Sequence, residues 1–504
     1  MSIKSTVFRS LTNLKSFSSY FKSNIDYGNK NLHQVLEKDY LYSIDEITAE
    51  DFHLESFIKK YDHTYTSCGT EVFNHWLHSI KTKEQVENIQ QDMKYLASSS
   101  SVNFLETLLK KKVSKQISGN FIRDLWDGFS VKSWIVDHFT YLFLFNILFN
   151  LVGALLFKKY IALFIIFFCI INFALFILTN KLVAHITSSI GYFFSLCGTL
   201  KKIDKATELQ LTIKMPDYKR FSKMQKYAVF FKKGIGGPSS GDLISLLIDY
   251  MRIFFAVELY SFTRVKKELI NNIEELRNIY LYVGYVDCLL NSLHIMEDHS
   301  ICFSKITENK DISFIDMKQP LVENSVPQTK KISTSLIITG LNMSGKTTFM
   351  KSLGLNQLLA TSFGFCFAKK YETSVLDILS SITINDELLN GKSRYYAEAE
   401  RLLLIKQKLN DHDCLCLIDE ILSGTNSDDR IYGSTEILRE FTKTSSLIIA
   451  ATHDIQIANN LTNLYEPVYF DGEIQGNRIE FDYLIKSGIV SKKNGLLILK
   501  LLGI

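Results

Sequence analysis

The spacing of hydrophobic and polar residues differs between the two parts of the chain. Before about residue 300, apolar residues recur at helical spacing beside charged faces, and the first 215 residues contain no proline. Long uninterrupted helices are therefore allowed there. After about residue 335, short apolar runs such as SLIITG, CLCLIDE and SLIIAATHD alternate with helical segments. This alternation predicts an α/β domain with a mostly parallel sheet, and VYFDGEIQGNRIEFDYLI predicts a β-hairpin near the carboxyl end.

Two long apolar runs, residues 139–157 and 160–179, contain no acidic or basic side chain, and only Lys158 and Lys159 separate them. Each run is long enough, at about 1.5 Å per residue, to cross a hydrocarbon core of about 30 Å as a helix. The pattern predicts a transmembrane helical hairpin whose amide side chains face the partner helix rather than lipid. A buried hairpin or a hydrophobic dimer surface in a soluble protein is the alternative. The amides in these runs are Asn146, Asn150 and Asn172.

Length, charge and cysteine spacing restrict the class of protein only loosely. A chain of 504 residues exceeds one ordinary core, so two or more domains are expected. The formal net charge of +4 neither requires nor excludes a nucleic-acid partner. The 8 cysteines are scattered without metal-ligand spacing, which favours a reducing environment. The first thirty residues lack the apolar core of a secretory signal.

A basic stretch with interleaved aromatic residues follows the apolar runs. Residues 201–233 contain ten Lys or Arg against three acidic residues. Such a stretch could follow a nucleic-acid backbone, bind anionic lipid headgroups, or be a solvated helix face, and the sequence leaves the three interpretations open. The interleaved aromatic residues are Tyr218, Phe221, Tyr227, Phe230 and Phe231.

The segment GLNMSGKTT, residues 340–348, fits the phosphate-loop pattern G-x-x-x-x-G-K-[ST] between an apolar strand and a helix-forming run. In this pattern the backbone N–H groups surround the phosphates, Lys346 contacts the β- and γ-phosphates, and Thr347 supplies a hydroxyl to Mg²⁺. The predicted cofactors are therefore ATP and Mg²⁺. The predicted nucleotide ligands in the loop are Gly340, Asn342, Met343, Ser344, Gly345, Lys346, Thr347 and Thr348.

Two further strand ends carry candidate catalytic residues. CLCLIDE ends in an acidic pair, in which Asp419 is predicted to hold the Mg²⁺ shell and Glu420 to orient the attacking water. A buried strand that ends in two acids is costly without a nearby cation. His453 ends the strand in AATHD and is predicted to contact the γ-phosphate or its water. Lys346, Glu420 and His453 are thus the predicted catalytic residues, and Thr347 and Asp419 the metal ligands.

The segments TGLNMSGKTT, INDELLNGKSRYYAEAE, LIDEILSGTNSDD and AATHD, in this order and spacing, resemble the ATPase domain of the MutS-type mismatch-repair proteins, which belong to the ABC-ATPase class. The resemblance covers about residues 310–504. Residues 61–90 also look like the start of the helical core and lever domain of that family. Leu341 and Ser344 depart from the proline and glycine usual in the loop of the family, and Arg430 stands where a glycine is usual.

The resemblance implies functional roles and partners. Asn342 matches an asparagine that senses the γ-phosphate, and Ser393 matches a serine that reaches the nucleotide of the opposite subunit. It follows that the expected partners are a second copy, forming a homodimer with composite ATP sites, and DNA. Thr425, Ser427 and Asp429 fall in a loop that lies at this dimer contact in the family. The chain looks like a short member that lacks the mismatch-reading domain.

The sequence thus predicts an α/β P-loop ATPase domain of ABC/MutS type at the carboxyl end, preceded by an all-α lever domain with a transmembrane helical hairpin. The leading hypothesis is a membrane-anchored, DNA-associated ATPase with two spans and a cytoplasmic ATPase domain, which acts through ATP-driven dimer closure. The alternative is a membrane-bound ABC-type ATPase that acts on a protein or lipid partner and has no DNA role. The predicted domains are 1–50, 51–138, 139–179, 180–309 and 310–504.

Overall fold

The computed structural model describes most of the chain, and its parts fall into two compact units. One unit is drawn from Met1–Val35, Lys112–Lys202 and Pro216–Tyr280, and the other from Leu36–Lys111, Ile203–Met215 and Leu281–Ile504. The described residues are 32–36, 40–112, 125–126, 134–206, 209–224, 265, 268–297, 300–341, 343–383, 394–475 and 478–489.

Helices make up most of the first part of the described chain, and strands alternate with helices in the second part, as the sequence predicts. The helices are α1 Leu32–Val35, α2 Glu46–Asp51, α3 Leu54–Tyr61, α4 Ser67–Leu77, α5 Lys83–Ser98, α6 Val102–Lys112, α7 Trp134–Leu156, α8 Ile161–Ala206, α9 Ile273–Ile295, α10 Lys346–Ser362, α11 Arg394–Asp411, α12 Ser427–Phe441 and α13 Ile455–Leu461. The strands are β1 Tyr42–Ser43, β2 Ser79–Ile80, β3 Cys302–Phe303, β4 Lys305–Ile306, β5 Ile312–Met317, β6 Gln328–Ile332, β7 Leu336–Gly340, β8 Phe365–Cys366, β9 Lys370–Thr373, β10 Asp377–Ser381, β11 Cys414–Asp419, β12 Leu447–Ala451, β13 Glu466–Phe470, β14 Gly472–Gln475, β15 Arg478–Phe481 and β16 Lys486–Ser487.

In the first unit, α7 and α8 form a helical pair joined by a short 3₁₀ turn. Asn146 Nδ2 donates to Asn172 Oδ1 at 3.1 Å, and Asn150 Nδ2 donates to Asn146 Oδ1 at 2.8 Å. Gly153 allows the close approach of the two helices, because a Cβ there would lie 2.3 Å from a ring atom of Phe164. Asn146 and Asn172 therefore bond across the helical pair, as predicted, whereas Asn150 bonds to Asn146 within α7.

A helix that spans a membrane needs both sufficient length and sufficient hydropathy. No single described helix meets both requirements, and Leu144–Leu156 and Lys158–Ala174, which are bent by 120° at their junction, meet them only together. This finding does not support the prediction of two membrane-spanning helices, although helices occupy both predicted positions. Large apolar side chains remain exposed on the pair, among them Tyr141, Phe145 and Leu148.

Two aromatic residues of the basic stretch belong to the core of the first unit. Tyr218 and Phe221 lie in a 3₁₀ turn and are buried, and the ring of Phe221 packs edge-on against Phe193 at 5.0 Å. These two rings are therefore unavailable for stacking on nucleic-acid bases. Tyr227, Phe230 and Phe231 lie outside the described residues.

The second unit is built around a six-stranded sheet with the strand order β10-β11-β12-β7-β13-β16. Its pairings are parallel except for the antiparallel edge strand β16. Strand β7 is fully buried between β12 and β13. The predicted hairpin is only partly correct, because VYF belongs to β13 of this sheet while β14 and β15 form the hairpin.

The parallel register brings three strand ends to one edge of the sheet. Gly340 ends β7, Asp419 ends β11 and pairs with Ala451, the end of β12. Ligand sites of open α/β sheets form outside the carboxyl ends of parallel strands. The edge of the sheet formed by these three residues is therefore the place where the predicted site residues converge.

Candidate active site

The loop between β7 and α10 has the backbone conformation of a tight anion-binding turn. Gly340, Met343 and Gly345 have positive φ angles of 145°, 70° and 107°. A Cβ at Gly340 would lie 2.4 Å from the carbonyl oxygen of Phe470, so only glycine fits there. Met343 is 87% exposed. Because Gly345 is the N-cap of α10 and has no side chain, the first N–H groups of the helix are left for an anion.

Lys346 lies inside this loop. Its Nζ donates to the carbonyl oxygens of Gly340 and Leu341, both at 2.9 Å. Burial lowers the pKa of Lys346, and the nearby carboxylates of Asp419 and Glu420 oppose that shift. Two neutral carbonyl acceptors thus hold the ammonium in the position where phosphate oxygens are predicted to bind. Phosphate oxygens are charged and therefore stronger acceptors, and they would replace the carbonyls.

A hydroxyl and a carboxylate meet beside Lys346. Thr347 Oγ1 donates to Asp419 Oδ2 at 2.5 Å. Burial raises the pKa of Asp419, and the bond from Thr347 works against that rise. A buried carboxylate in this state is stabilised by a cation, and hydroxyl and carboxylate oxygens are the ligands that Mg²⁺ prefers. The pair therefore fits the predicted metal site.

Ser344 supplies a further indication that the loop is built for a polar ligand. Its Oγ is buried and has no hydrogen-bond partner among the described residues. A buried hydroxyl without a partner is unfavourable, and natural structures contain few of them. A phosphate oxygen in the loop would satisfy this group.

Glu420 and His453 form a hydrogen-bonded pair at the same edge of the sheet. His453 Nδ1 donates to Glu420 Oε1 at 3.1 Å, and Glu420 has the left-handed φ of 54°. The bond from His453 lowers the pKa of Glu420, and the same bond raises the pKa of His453. A non-glycine residue in this conformation stores strain, which is common at functional sites. His453, which is predicted to contact the γ-phosphate or its water, therefore also contacts Glu420 directly.

The chain after the acidic pair forms a turn and then α12. Asn426 is the N-cap of α12, and its side chain accepts from the backbone N–H of Asp429 at 2.9 Å. Ser427 and Asp429 therefore lie in the first helical turn rather than in a loop. Arg430 stands where a glycine is usual in the resembled family. Its Nε donates to Asp454 Oδ2 at 2.8 Å, so this arginine has an acidic partner.

The described residues of the loop lie at one end of the sheet. They converge with Asp419, Glu420 and His453 at the carboxyl edge of the sheet, and they comprise Gly340, Met343, Ser344, Gly345, Lys346, Thr347 and Thr348. The other two predicted nucleotide ligands, Asn342 and Ser393, lie outside the described residues. The chemical roles of all these residues stay predictions.

A second cluster of polar residues lies at the opposite end of the sheet. Asp377, His412 and Cys414 bring potential metal-ligand atoms within 4.8 Å of one another. Asp377 Oδ2 already pairs with His412 Nε2 at 2.8 Å and with Lys408 Nζ at 3.4 Å. Burial raises the pKa of Cys414 to about 12. A carboxylate paired with an ammonium, next to a protonated thiol, is a satisfied ionic cluster rather than a metal centre.

Sequence reasoning missed one group of residues beside the site. Lys351 lies one helical turn after Thr347, and its Nζ donates to His53 Nε2 at 3.0 Å. The spacing of four residues along α10 was a usable signal, because it places Lys351 on the face of the helix that Thr347 presents to Asp419. The partner His53 is 298 residues away in sequence, which no local pattern reveals.

Comparison with known proteins agrees with this geometry. Residues 336–504 match the family model described as MutS domain V. A DNA mismatch repair protein MutS from Leptospira interrogans serogroup Icterohaemorrhagiae serovar Lai (strain 56601) is 23% identical over 286 residues, which cover 53% of this chain and 33% of that protein. A DNA mismatch repair protein MutS from Clostridium perfringens is 26% identical over 275 residues, which cover 49% of this chain and 29% of that protein.

The chain spans about a third of the length of the curated relatives it matches. The matched family model covers the phosphate loop, the acidic pair and His453. A MutS domain V is a P-loop ATPase-type domain. Residues 336–504 are therefore similar to a MutS domain V, and about half of the chain is similar to part of the MutS proteins.

Proposed function

We propose that the chain binds ATP together with Mg²⁺ at the loop of residues 340–348 and hydrolyses it. The observation that carries this proposal is the contact between Thr347 and Asp419 at 2.5 Å, which joins the first turn of α10 to the end of β11. Both residues offer oxygen ligands beside a lysine that faces the loop carbonyls. This is the arrangement that P-loop phosphoryl transfer requires.

Each residue has a distinct part in the proposed reaction. Lys346 exchanges its two carbonyl acceptors for phosphate oxygens and neutralises charge that develops there. Mg²⁺, held by Thr347 and Asp419, would neutralise charge on the phosphates when bound. Glu420 accepts a hydrogen bond from the attacking water and directs it. His453 keeps the Glu420 carboxylate ionised and oriented, because its bond to Glu420 favours the charged form.

Equilibrium binding of a fluorescent ATP analogue in the presence of Mg²⁺ tests the nucleotide site. Lys346→Ala removes the buried ammonium, and we expect the affinity for the analogue to fall at least about tenfold. Lys369→Ala is the matched control. Lys369 directly precedes β9, and its Nζ pairs with Asp316 on the neighbouring strand β5 at 2.6 Å. Equal affinities of the two variants would contradict the proposal.

We further propose that the chain works as a homodimer with composite ATP sites and binds DNA in a process of the mismatch-repair type. Support comes from the two relatives, both of which are named DNA mismatch repair proteins. The basic residues of the stretch 201–233 would supply contacts to the phosphate backbone. Duplex binding whose affinity decreases steeply with salt concentration is the expected result, and binding that is absent at low salt would contradict this part of the proposal.

A second candidate function rests on the helical pair of α7 and α8. Its outward side chains are large and apolar, with Tyr141 at 73% and Phe145 at 68% exposed, while its asparagines are buried between the helices. An exposed apolar surface of this kind marks a membrane or protein interaction site. We propose that residues 139–179 attach the chain to a membrane, with the ATPase domain in the cytoplasm. An ATPase that acts on a membrane protein or lipid, without DNA, would share this attachment.

Fractionation of cells that produce the full chain separates these alternatives. Membrane attachment predicts recovery with membranes that withstands high salt and is released by detergent. Recovery in the supernatant without detergent would contradict it. If the detergent-released protein hydrolyses ATP at the same rate with and without duplex DNA, the alternative that acts on protein or lipid is favoured.

A further inference from the structure

A short segment from the helical part of the chain is fixed onto the α/β domain beside the candidate site. We call residues 45–54, which contain α2 and His53, the docking segment. Phe52 is completely buried, and the close approach of α10 depends on Gly354, where a Cβ would lie 2.2 Å from a ring atom of Phe52. The docking segment therefore packs directly on the helix that follows the phosphate loop.

Asp51 ties the docking segment to the same edge of the sheet on which Asp419 lies. It is 1% exposed. Its carboxylate accepts from Ser380 Oγ at 2.5 Å, from the N–H of Ile382 at 3.0 Å and from the N–H of Thr383 at 2.7 Å. These groups lie at the carboxyl end of β10, which is the parallel neighbour of β11.

Arg401 reinforces this attachment. Its Nε donates to the carbonyl oxygen of Ser380 at 2.8 Å, its Nη1 donates to Asp45 Oδ2 at 2.7 Å, and its Nη2 donates to Thr48 Oγ1 at 3.0 Å. A buried guanidinium with this many acceptors fixes the geometry of the groups that it joins. The docking segment is thus a rigid partner of the sheet edge.

Lys351 connects the docking segment to the metal-ligating residues. Its Nζ donates to His53 Nε2 at 3.0 Å, and it lies on the face of α10 that carries Thr347. Burial lowers the pKa of Lys351, and the carboxylates of Asp51 and Asp419 both oppose that shift. The ammonium that contacts His53 is therefore attracted by a carboxylate of the docking segment and by the predicted metal ligand.

We infer that Lys351 and Asp51 are positioning residues that couple the occupancy of the metal and nucleotide site to the docking segment. This inference rests on the proposed function. A divalent cation at Asp419 neutralises that carboxylate and repels the ammonium of Lys351, so the attraction of Lys351 shifts toward Asp51 and His53. Metal and nucleotide then strengthen the attachment of the docking segment. By reciprocity, an intact attachment makes metal binding more favourable.

A double-mutant cycle on the full chain tests this coupling. The probe is a fluorescent, non-hydrolysable ATP analogue, and the readout is the Mg²⁺ concentration at half-maximal binding. Of the two carboxylates that attract Lys351, Asp51→Asn leaves only Asp419, so we expect about fivefold more Mg²⁺ to be needed. Lys351→Met removes the competing cation, so we expect about fivefold less.

The cycle also predicts how the two changes combine. In the Lys351→Met background, Asp51→Asn has no further effect beyond about twofold, because the shared cation is gone. Lys351→Arg keeps the charge and is expected to restore the wild-type midpoint, which a purely structural role of Lys351 would not produce. An Asp51→Asn effect of equal size in both backgrounds would overturn the inference.

Hydrogen exchange of the amides in the docking segment gives an independent readout if Asp51→Asn fails to fold. The analogue with Mg²⁺ is expected to slow exchange in the wild type and to leave it unchanged in Lys351→Met. Slowing of equal size in both proteins would overturn the coupling. If the wild type does not bind the analogue at all, the proposed nucleotide site fails instead, and the two failures are thereby distinguished.

Discussion

Glu420 and His453 show how a single side-chain contact prepares one residue of the candidate site. Glu420 is held in a left-handed conformation in which its N–H donates to the carbonyl oxygen of Ala451 at 3.0 Å, so its position is set by the neighbouring strand. His453 then directs the carboxylate through one hydrogen bond. The orientation of the predicted water-activating group therefore depends on two adjacent strand ends.

His453→Ala tests this dependence. Loss of the bond lets the pKa of Glu420 rise toward its ordinary value and frees its side chain. We expect the turnover number for ATP to fall about tenfold or more, because a positioned acid or base contributes at least that much. The affinity for a fluorescent ATP analogue is expected to stay within about twofold. Unchanged turnover would remove His453 from its assigned role.

Asp287 predicts a pH dependence of stability that is independent of the candidate site. It is buried, and its carboxylate accepts from the N–H of Thr66 at 2.7 Å and from Thr66 Oγ1 at 2.6 Å. Burial raises its pKa to about 6 from the ordinary value of 3.8. Because the folded state binds this proton more tightly, the resulting stabilisation is complete below about pH 4 and is lost as the pH rises through about 6.

Asp287→Asn removes this titration. Two pKa units correspond to about 3 kcal/mol, so the free energy of unfolding of the wild type is expected to fall by up to that amount between about pH 4 and pH 6 relative to the variant. Urea unfolding at a series of pH values measures the difference. Parallel pH curves for the two proteins would show that Asp287 is not the titrating group.

At the scale of elements, the parts of the fold that local patterns encode were predictable and the parts that depend on distant contacts were not. Strands β7, β11 and β12 follow from their short apolar runs, and the start of α10 at Lys346 follows from the glycine-rich loop. The prediction of VYF as part of the hairpin is wrong because alternation alone cannot distinguish a hairpin strand from a strand of the main sheet. The docking segment could not be predicted, because Asp51 and its hydrogen-bond partner Ser380 are 329 residues apart in sequence.

Two helical glycines test the role of packing between elements. Gly354→Ala on α10 would place a Cβ 2.2 Å from the ring of Phe52 and 2.7 Å from Leu417 Cδ1, so we expect it to destabilise the protein by about 1–3 kcal/mol. Gly198→Ala on α8 is the matched control, because no atom of another described element lies within 4 Å of its Cβ position. It is expected to stabilise by about 0.5–1 kcal/mol through helix propensity. Thermal unfolding of both variants measures the contrast, and equal shifts would contradict it.

At the scale of the whole molecule, the chain carries features of two kinds of protein. The phosphate loop and the acidic pair match a MutS domain V. No feature of that domain explains the apolar helical pair of α7 and α8. No single described helix has both the length and the hydropathy of a membrane span. The prediction of membrane attachment rests on the length and composition of the two apolar runs, and neither distinguishes lipid from a protein partner as the surface that covers these side chains.

Dimer closure is the whole-molecule consequence of the proposed composite sites. Glu420→Gln keeps the shape of the side chain and removes its charge, so ATP is expected to remain bound and to hold two copies together. Light scattering is expected to give twice the monomer mass with ATP and Mg²⁺ and the monomer mass without them. A monomer under both conditions would contradict the shared sites, while leaving ATP binding by each copy intact.

The most direct test of the central claim is the rate of Mg²⁺-dependent ATP hydrolysis by the purified wild type and by Glu420→Gln, measured together with the amount of ATP that each protein retains. The account predicts that the variant loses at least about 99% of the turnover, since such a group contributes about 10²-fold or more, while it retains bound ATP. Equal turnover by the two proteins, or no Mg²⁺-dependent nucleotide binding by either, would contradict it.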